Sequence, residues 1–258
     1  MLVFIIPLKS KQVCQSWESV CRLFERTIKS ICNQTTNSFR VIVVCNEKPN
    51  IKFTHPNITY IERDFVIPEA DWRNKDLDKT HKLITGLIHA KSINASHIMF
   101  ADADDCVSKH LAEFVNQHPQ ATGWLVRKGY IYRDGSKLIR LMKKGFDRYC
   151  GTSNIVRYDL YYVPEIIDEI TEKEYKYCIY NNYWHRTIEE TLNRKGASLE
   201  SLPFAGAIYT QNGQNIYHGI EDQNKAINLK SRFWRAKALL DYRLVTQSIR
   251  EEFQLYNY

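Results

Sequence analysis

The chain has 258 residues, of which 44% are apolar, 25% charged and 12% aromatic, with a formal net charge of +7. This composition is that of a globular protein with a full core, either one large α/β domain or one domain with a small appendage. No apolar stretch approaches the roughly 18 residues that a membrane-spanning helix needs, so we expect no transmembrane segment. The positive charge suits an anionic partner such as a nucleotide, and equally a basic surface kept for solubility.

The cysteines and the N-terminus indicate a cellular compartment. The seven cysteines include no C-x-x-C pair, which argues against a zinc ribbon or a thioredoxin-type site. The apolar run at residues 2–6 is too short for the hydrophobic region of a signal peptide. We therefore expect reduced cysteines and a cytoplasmic location, with peripheral attachment to the inner membrane face as an alternative.

Apolar strands alternate with amphipathic helices in the first 105 residues. The predicted elements are a strand at 2–6, a helix at 13–31, strands at 39–45 and 58–62, a helix at 83–90 and a strand at 97–101. This pattern predicts an α/β fold whose mostly parallel sheet is covered by helices on both faces. Ligands of such sheets bind beyond the carboxyl ends of the strands. The residues that follow these ends are Pro7, Glu47, Arg63 and Asp102.

The alternation fades after residue 105. The later predictions are a β-hairpin within 124–141 around Asp134-Gly135, a short strand at 154–157, helix within 164–195, strand and loop at 201–218, and one or two helices from about residue 223. We expect one compact domain that carries a C-terminal helical appendage.

Three carboxylates follow the apolar run at 97–101, at Asp102, Asp104 and Asp105. Buried unpaired carboxylates are costly, so a cation is expected to meet them. Mg²⁺ and Mn²⁺ suit such hard oxygen donors and usually take one or two carboxylates together with phosphate oxygens. The alternative is that these aspartates cap a helix or shape a turn. The sequence therefore predicts a divalent metal site that carries a phosphorylated ligand.

The segments "VFIIP", "FRVIVVCNE" and "DKTHKLITGLIHAKSINASHIMFADADD" resemble the nucleotide-binding half of a GT-A glycosyltransferase of the family 2 type. The resemblance covers residues 1–110 well and the remainder loosely. It implies a Rossmann-like GT-A domain at 1–220, with a nucleotide-sugar-binding half at 1–110 and an acceptor half at 111–220, followed by C-terminal helices at 221–258. It also implies metal-dependent transfer of a sugar, most often from a UDP-sugar, to a glycan or lipid-linked acceptor in polysaccharide or glycoconjugate biosynthesis.

The same resemblance implies roles for the aspartates. Asp104 would ligate the metal, and Asp102 would contact the metal, a metal-bound water or the ribose. Asp105 would contact the transferred sugar or support the other two.

The resemblance also implies which residues contact the nucleotide. Pro7 and Leu8 would lie along the nucleoside, and Glu47 stands where the family usually has an aspartate that contacts uracil or ribose. Lys79 and Lys82 lie one turn apart at the start of a predicted helix, which suits a diphosphate. Two solvated lysines on a helix surface are the alternative.

The remaining predictions concern the third metal ligand and the catalytic base. His218 would complete the metal shell and favour Mn²⁺ over Mg²⁺, although a lone histidine is more often a surface residue. Family 2 enzymes usually carry an acidic pair before an acceptor-side helix, but residues 181–186 read NNYWHR here. His185 could serve as the base because its ordinary pKa is near neutrality. The alternatives are Asp147, Glu165, Asp168, or a retaining enzyme with no dedicated base.

Two other functions compete with glycosyl transfer. A nucleotide-sugar-binding protein with a degenerate active site would explain the missing acidic pair. A phosphatase of the haloacid dehalogenase type would use Asp102 as nucleophile and Asp104 as acid/base, but its motif normally follows the first strand. No P-loop, Rossmann glycine fingerprint or RNA motif is present, so we expect no nucleic-acid partner. The tail helices could pack on the domain, pair two protomers or contact a membrane surface.

Overall fold

The computed structural model describes residues 1–69, 71–164, 185–212 and 241–256. Over these ranges the protein is a mixed α/β structure with two β-sheets and five α-helices. The strands are β1 Leu2–Pro7, β2 Phe39–Cys45, β3 Ile58–Glu62, β4 His97–Phe100, β5 Cys106–Val107, β6 Gly123–Leu125, β7 Gly129–Arg133, β8 Leu138–Met142, β9 Asn154–Arg157, β10 Glu200–Ser201, β11 Ala207–Gln211 and β12 Tyr242–Leu244. The helices are α1 Trp17–Cys32, α2 Trp72–Ser92, α3 Leu111–Gln117, α4 Ile188–Arg194 and α5 Gln247–Phe253.

The first sheet has the strand order β10-β6-β9-β4-β1-β2-β3. Strands β4, β1, β2 and β3 are parallel, which confirms the four strands predicted in the first half of the chain. Strand β9 runs antiparallel to both of its neighbours, β4 and β6. The sheet is therefore mixed, and the predicted parallel arrangement holds for its N-terminal half.

Helices cover both faces of this sheet, as the apolar strands predicted. Alternate residues of β1 point to opposite sides, and all of Leu2 to Ile6 are fully buried. Leu2, Phe4 and Ile6 pack with α1 and α3, whereas Val3 and Ile5 pack with α2 and α4. The burial of both faces explains why the strand reads as an unbroken apolar run.

The second sheet has the order β12-β8-β7-β11-β5 and was not predicted from the sequence. Its hairpin, β7–β8, confirms the predicted turn at Asp134-Gly135, where Gly135 has a φ of +80°. Trp124, which the sequence analysis assigned to that hairpin, belongs instead to β6 in the first sheet. Helix α5 packs Ile249 and Phe253 against this second sheet.

The C-terminal prediction is correct in part. Helix α5 confirms a helix near the end of the chain, but the helix expected at Tyr242–Leu244 is wrong because these residues form β12. This strand pairs antiparallel with β8, and its flanks add backbone hydrogen bonds from Leu141 N to Asp241 O and from Val245 N to Lys137 O. Such long-range pairing leaves no signal in helical periodicity. Residues 223–240 lie outside the described residues.

The helix expected within 164–195 is confirmed at Ile188–Arg194, and 165–184 also lie outside the described residues. Of the helices that the structure describes, none has the length and apolar character needed to cross a bilayer.

Arg26 of α1 ties the two sheets together. Its side chain is fully buried, and its guanidinium forms an ion pair with Asp134 in the β7–β8 turn. It also donates to the backbone oxygen of Asp104 at 3.1 Å and to the hydroxyl of Thr210 in β11 at 3.0 Å. One side chain therefore connects the first helix, the β4–β5 loop and the second sheet.

Replacing Arg26 with Met should destabilise the fold by about 3 kcal/mol, because it leaves Asp134 Oδ1 and two buried acceptors, the Asp104 carbonyl and the Thr210 hydroxyl, without the donor that the structure gives them. Arg22→Met is the matched control, since Arg22 pairs with the same Asp134 but its side chain is 46% exposed. The control should lose less than about 1 kcal/mol. Urea unfolding measures both values, and equal losses would show that the buried guanidinium has no special role.

Candidate functional site

Residues 101–105, here called the aspartate loop, join β4 of the first sheet to β5 of the second. The loop begins beyond the carboxyl end of β4, where Ala101 N donates to Ile5 O of β1 at 3.0 Å. Strand β1 ends beside β2 at the same edge, since Pro7 pairs with Val44. The loop therefore lies at the sheet edge where ligands of α/β proteins bind.

Asp102 faces a lysine from α2. Its carboxylate forms an ion pair with Lys79, and the two side chains are 29% and 34% exposed. Its backbone N–H donates to Thr152 Oγ1 at 2.9 Å. A Cβ atom on Gly151 would lie 2.7 Å from Asp102 Oδ2, so the glycine allows this close approach. The structure thus brings together Asp102 and Lys79, which the sequence analysis predicted to share a site.

Asp104 accepts a hydrogen bond from an amide side chain and lies within electrostatic range of Lys9 and Arg26. Asn212 Nδ2 donates to Asp104 Oδ2 at 2.7 Å. Burial raises the pKa of Asp104, and the charge of Asp102 adds to this shift, whereas Asn212, Lys9 and Arg26 act in the opposite direction. A second negative charge is therefore unfavourable here without a cation.

Lys9 was missed by the sequence analysis. Burial lowers its pKa, and the charge of Asp104 opposes that shift, so the two side chains are within electrostatic range. Lys9 lies two residues beyond β1, at the same sheet edge as the aspartate loop. Its position after a strand end was the signal that could have identified it.

Asp105 is buried, with 1% of its surface exposed. Its Oδ1 accepts from Thr210 N at 3.0 Å, and its Oδ2 accepts from Thr152 Oγ1 at 2.7 Å and from Cys150 Sγ at 3.2 Å. Burial raises the pKa of Asp105 well above its usual range, and the charges of Asp104 and Asp102 add to this. Of the two predicted roles, a sugar contact or a supporting contact, these surroundings favour the supporting one.

His185 lies in the turn before α4, within electrostatic range of Lys79 and Asp102. Burial lowers its pKa to about 4, and the charge of Lys79 lowers it further, while Asp102 acts in the opposite direction. Its Nε2 atom is buried and has no hydrogen-bond partner among the described residues. At neutral pH the imidazole is therefore uncharged, as a general base must be, but it is a weak base.

The predicted nucleoside contacts lie at the same sheet edge. Pro7 ends β1 and is partly exposed, whereas the side chain of Leu8 is fully buried in the core. Glu47 accepts from Ser10 Oγ at 3.0 Å and from the backbone N–H of Lys11. Its carboxylate thus holds the turn that follows β1, and a contact with uracil or ribose stays a prediction.

Lys82 differs from Lys79. Its ammonium group pairs with Asp78 at 2.8 Å and lies 5.4 Å from the ring centre of Phe65, and its side chain is 1% exposed. These surroundings give no support to the diphosphate contact predicted for it.

Several other predicted residues remain untested. His218, Glu165 and Asp168 lie outside the described residues. Asp147 is buried, with Oδ2 3.8 Å from Arg127 Nη1.

The residues around the aspartate loop fit a divalent cation that also takes phosphate oxygens. Among the described residues, no three His, Cys, Asp or Glu side chains converge to hold a metal by themselves. Mg²⁺ and Mn²⁺ require fewer protein ligands when a phosphorylated ligand is present. Asp102 and Asp104 supply hard oxygen atoms, and burial together with the charge of Asp102 raises the pKa of Asp104, so a nearby cation would favour its ionised form.

No family model and no curated protein matches the chain. Among solved structures, the protein is similar to S. aureus TarS 1-349 in complex with UDP, at 13% identity and a TM-score of 0.42, over 90% of this chain and 68% of that one. It is also similar to S. aureus TarS, at 13% identity and 0.39, over 92% and 42% of the two chains. A third is Francisella tularensis 2-C-methyl-D-erythritol 4-phosphate cytidylyltransferase, at 12% and 0.38, over 91% and 99%. Similarity at this level identifies no family.

The low pKa of His185 makes the stability of the protein depend on pH. Unfolded histidine takes up a proton near pH 6.5, whereas folded His185 does so only near pH 4. The free energy of unfolding should therefore fall as the pH drops from 6.5 to 4, by up to about 3 kcal/mol from this residue. His185→Gln should flatten the curve over that range relative to the wild type.

His118→Gln, a change at an exposed histidine, is the matched control and should leave the curve parallel to the wild type. Urea unfolding at several pH values measures the difference. Parallel curves for His185→Gln and wild type would show that His185 is not held neutral.

Proposed function

We propose that the protein is a metal-dependent glycosyltransferase that moves a sugar from a nucleotide sugar, a UDP-sugar, to a hydroxyl group of a glycan or lipid-linked acceptor. The observation that supports this most strongly is the aspartate loop at the carboxyl end of β4. There Asp102 pairs with Lys79, and Asp104 lies within electrostatic range of Lys9. Carboxylates for a cation and ammonium groups for phosphate oxygens are the two elements that a sugar diphosphate requires.

The reaction breaks the bond between the anomeric carbon and the diphosphate oxygen while an acceptor oxygen forms a bond to that carbon. Negative charge then develops on the departing nucleoside diphosphate. A bound Mg²⁺ or Mn²⁺ would neutralise part of that charge. Asp102 and Asp104 would hold the cation, with His218 as a further ligand that would favour Mn²⁺. Lys9 and Lys79 would stabilise the leaving group through their positive charges.

His185 is the proposed general base. It is uncharged at neutral pH, and its buried Nε2 has no partner among the described residues, so this atom would take the proton of an acceptor hydroxyl that bound next to it. Burial lowers its pKa most, and the charge of Lys79 lowers it further. An anionic diphosphate bound to Lys79 would offset that charge and raise the pKa of His185 towards the operating pH, which favours proton transfer.

A second candidate is a nucleotide-sugar-binding protein that does not transfer the sugar. The observation that favours it is the low pKa of His185, because a base of pKa about 4 accepts a proton poorly at neutral pH. The two candidates share the donor site and differ in turnover.

UDP and Mn²⁺ together should raise the melting temperature, because both ligands bind only the folded state. At about 100 times the dissociation constant, the gain is about 2.7 kcal/mol, which corresponds to roughly 5 to 10 °C for a chain of this size. Asp104→Asn should abolish the shift, and Lys79→Met should reduce it.

The matched control is Asp159→Asn, since Asp159 is exposed and forms an ion pair with Arg157 near the start of β4, at the opposite edge of the sheet. This variant should keep the full shift. A shift that is equal with and without metal, or that is unchanged in Asp104→Asn, would contradict the proposed site.

Turnover separates the two candidates. With a panel of UDP-sugars, Mn²⁺ and acceptor glycans, the glycosyltransferase should release UDP, and EDTA should stop the release. His185→Gln should lower kcat by about 100-fold and leave the KM for the donor unchanged. Binding of UDP and Mn²⁺ without release from any donor would favour the second candidate, and full activity of His185→Gln would place the base elsewhere.

A further inference from the structure

The backbone of Asp102 is held on both sides by the protein itself. Its N–H donates to Thr152 Oγ1 at 2.9 Å, and its carbonyl oxygen accepts from Asp105 N at 3.2 Å. The Asp102 side chain, in contrast, is partly exposed and meets Lys79. The direction in which this carboxylate points therefore depends on two internal hydrogen bonds.

Thr152 is the link between Asp102 and the protein interior. Because a backbone N–H can only donate, the Thr152 hydroxyl oxygen accepts from Asp102, and its own proton is directed to Asp105 Oδ2 at 2.7 Å. Thr152 is fully buried, so water does not replace either bond. The Thr152 hydroxyl therefore fixes the backbone of Asp102 relative to the buried carboxyl of Asp105.

Asp105 is a firm anchor for this link. Three donors converge on its carboxyl group, from Thr152, Cys150 and the backbone of Thr210. They come from the loop before β9 and from β11, so Asp105 is fixed against both sheets. The neighbouring Gly151 lies against Asp102 Oδ2, which leaves that side chain little room to move.

We infer that Thr152 is a positioning residue that holds Asp102 in the orientation needed to bind the divalent cation. The inference rests on the proposed function, in which Asp102 contacts that cation. Thr152 touches neither the cation nor the sugar in this arrangement, and it acts only through Asp102. Hydrogen-bonded groups behind metal ligands commonly change metal affinity by 10- to 100-fold.

The test compares Thr152→Val, which removes the hydroxyl and keeps the shape, with Thr152→Ser, which keeps the hydroxyl. Thr152→Val should raise the Kd for Mn²⁺ in the presence of UDP by roughly 10-fold, measured by calorimetry. It should also speed hydrogen exchange of the Asp102 amide by about 10-fold in the ligand-free protein, measured by NMR. Thr152→Ser should restore both values.

Thr27→Val is the matched control, since Thr27 is also fully buried but its hydroxyl has no hydrogen-bond partner among the described residues. This variant should leave the Mn²⁺ affinity and the Asp102 amide unchanged. In an Asp102→Asn background, Thr152→Val should cause no further loss of Mn²⁺ affinity, because it acts through Asp102.

Each outcome decides between the inference and the function on which it rests. Wild-type protein that binds no Mn²⁺ with UDP would overturn the proposed function and, with it, this role of Thr152. Wild-type binding that Thr152→Val leaves intact would overturn the positioning role alone. Equal losses in the wild-type and Asp102→Asn backgrounds would also overturn it, because Thr152 would then act independently of Asp102.

Discussion

The burial of carboxyl groups next to one another is the constraint on which this structure depends. Asp102, Asp104 and Asp105 lie within four successive positions where the two sheets meet, and burial raises the pKa of Asp104 and of Asp105, so their ionised forms are costly. The protein meets this cost differently at each position. Asp105 receives three hydrogen bonds, Asp102 receives an ammonium group, and Asp104 receives an amide together with the charges of Lys9 and Arg26.

In the proposed site, Asp105 is a supporting residue, whereas Asp102 and Asp104 would bind the cation. The carboxyl of Asp105 is buried, whereas Asp102 and Asp104, which could accept a cation, are partly exposed. The same division holds for the lysines of α2, since Lys82 is enclosed with Asp78 whereas Lys79 reaches Asp102. Of these two residues, one turn apart on one helix, Lys82 is therefore buried in the core and Lys79 is partly exposed beside the aspartate loop. The proposed transferase function depends on the outer members of each set.

The features predicted from the sequence are those that depend on residues close together in the chain. Three apolar runs and one alternating segment identified β1 to β4, and the carboxylates after the last run identified the edge where they cluster. The second sheet escaped prediction because β5 has two residues and β12 three, and both are defined by pairing with distant segments. Arg26 and Thr152 escaped for the same reason, since their partners lie 47 to 184 residues away in the chain. Periodicity shows which face is apolar but not which polar atoms will meet.

The short connection between β4 and β5 limits the insertions and deletions that the aspartate loop can tolerate. Val107 and Cys106 pair with Ala207 and Ile208, so the register of β5 is fixed a single residue after the anchored carboxyl. Residues 103–104 form a turn that is closed by the hydrogen bond from Asp105 N to Asp102 O at 3.2 Å. Adding or deleting one position there would break this turn and displace the three carboxyls relative to β5, even if every amino acid type were kept. Homologous proteins should therefore tolerate changes of side chain in this loop far more readily than changes in its length.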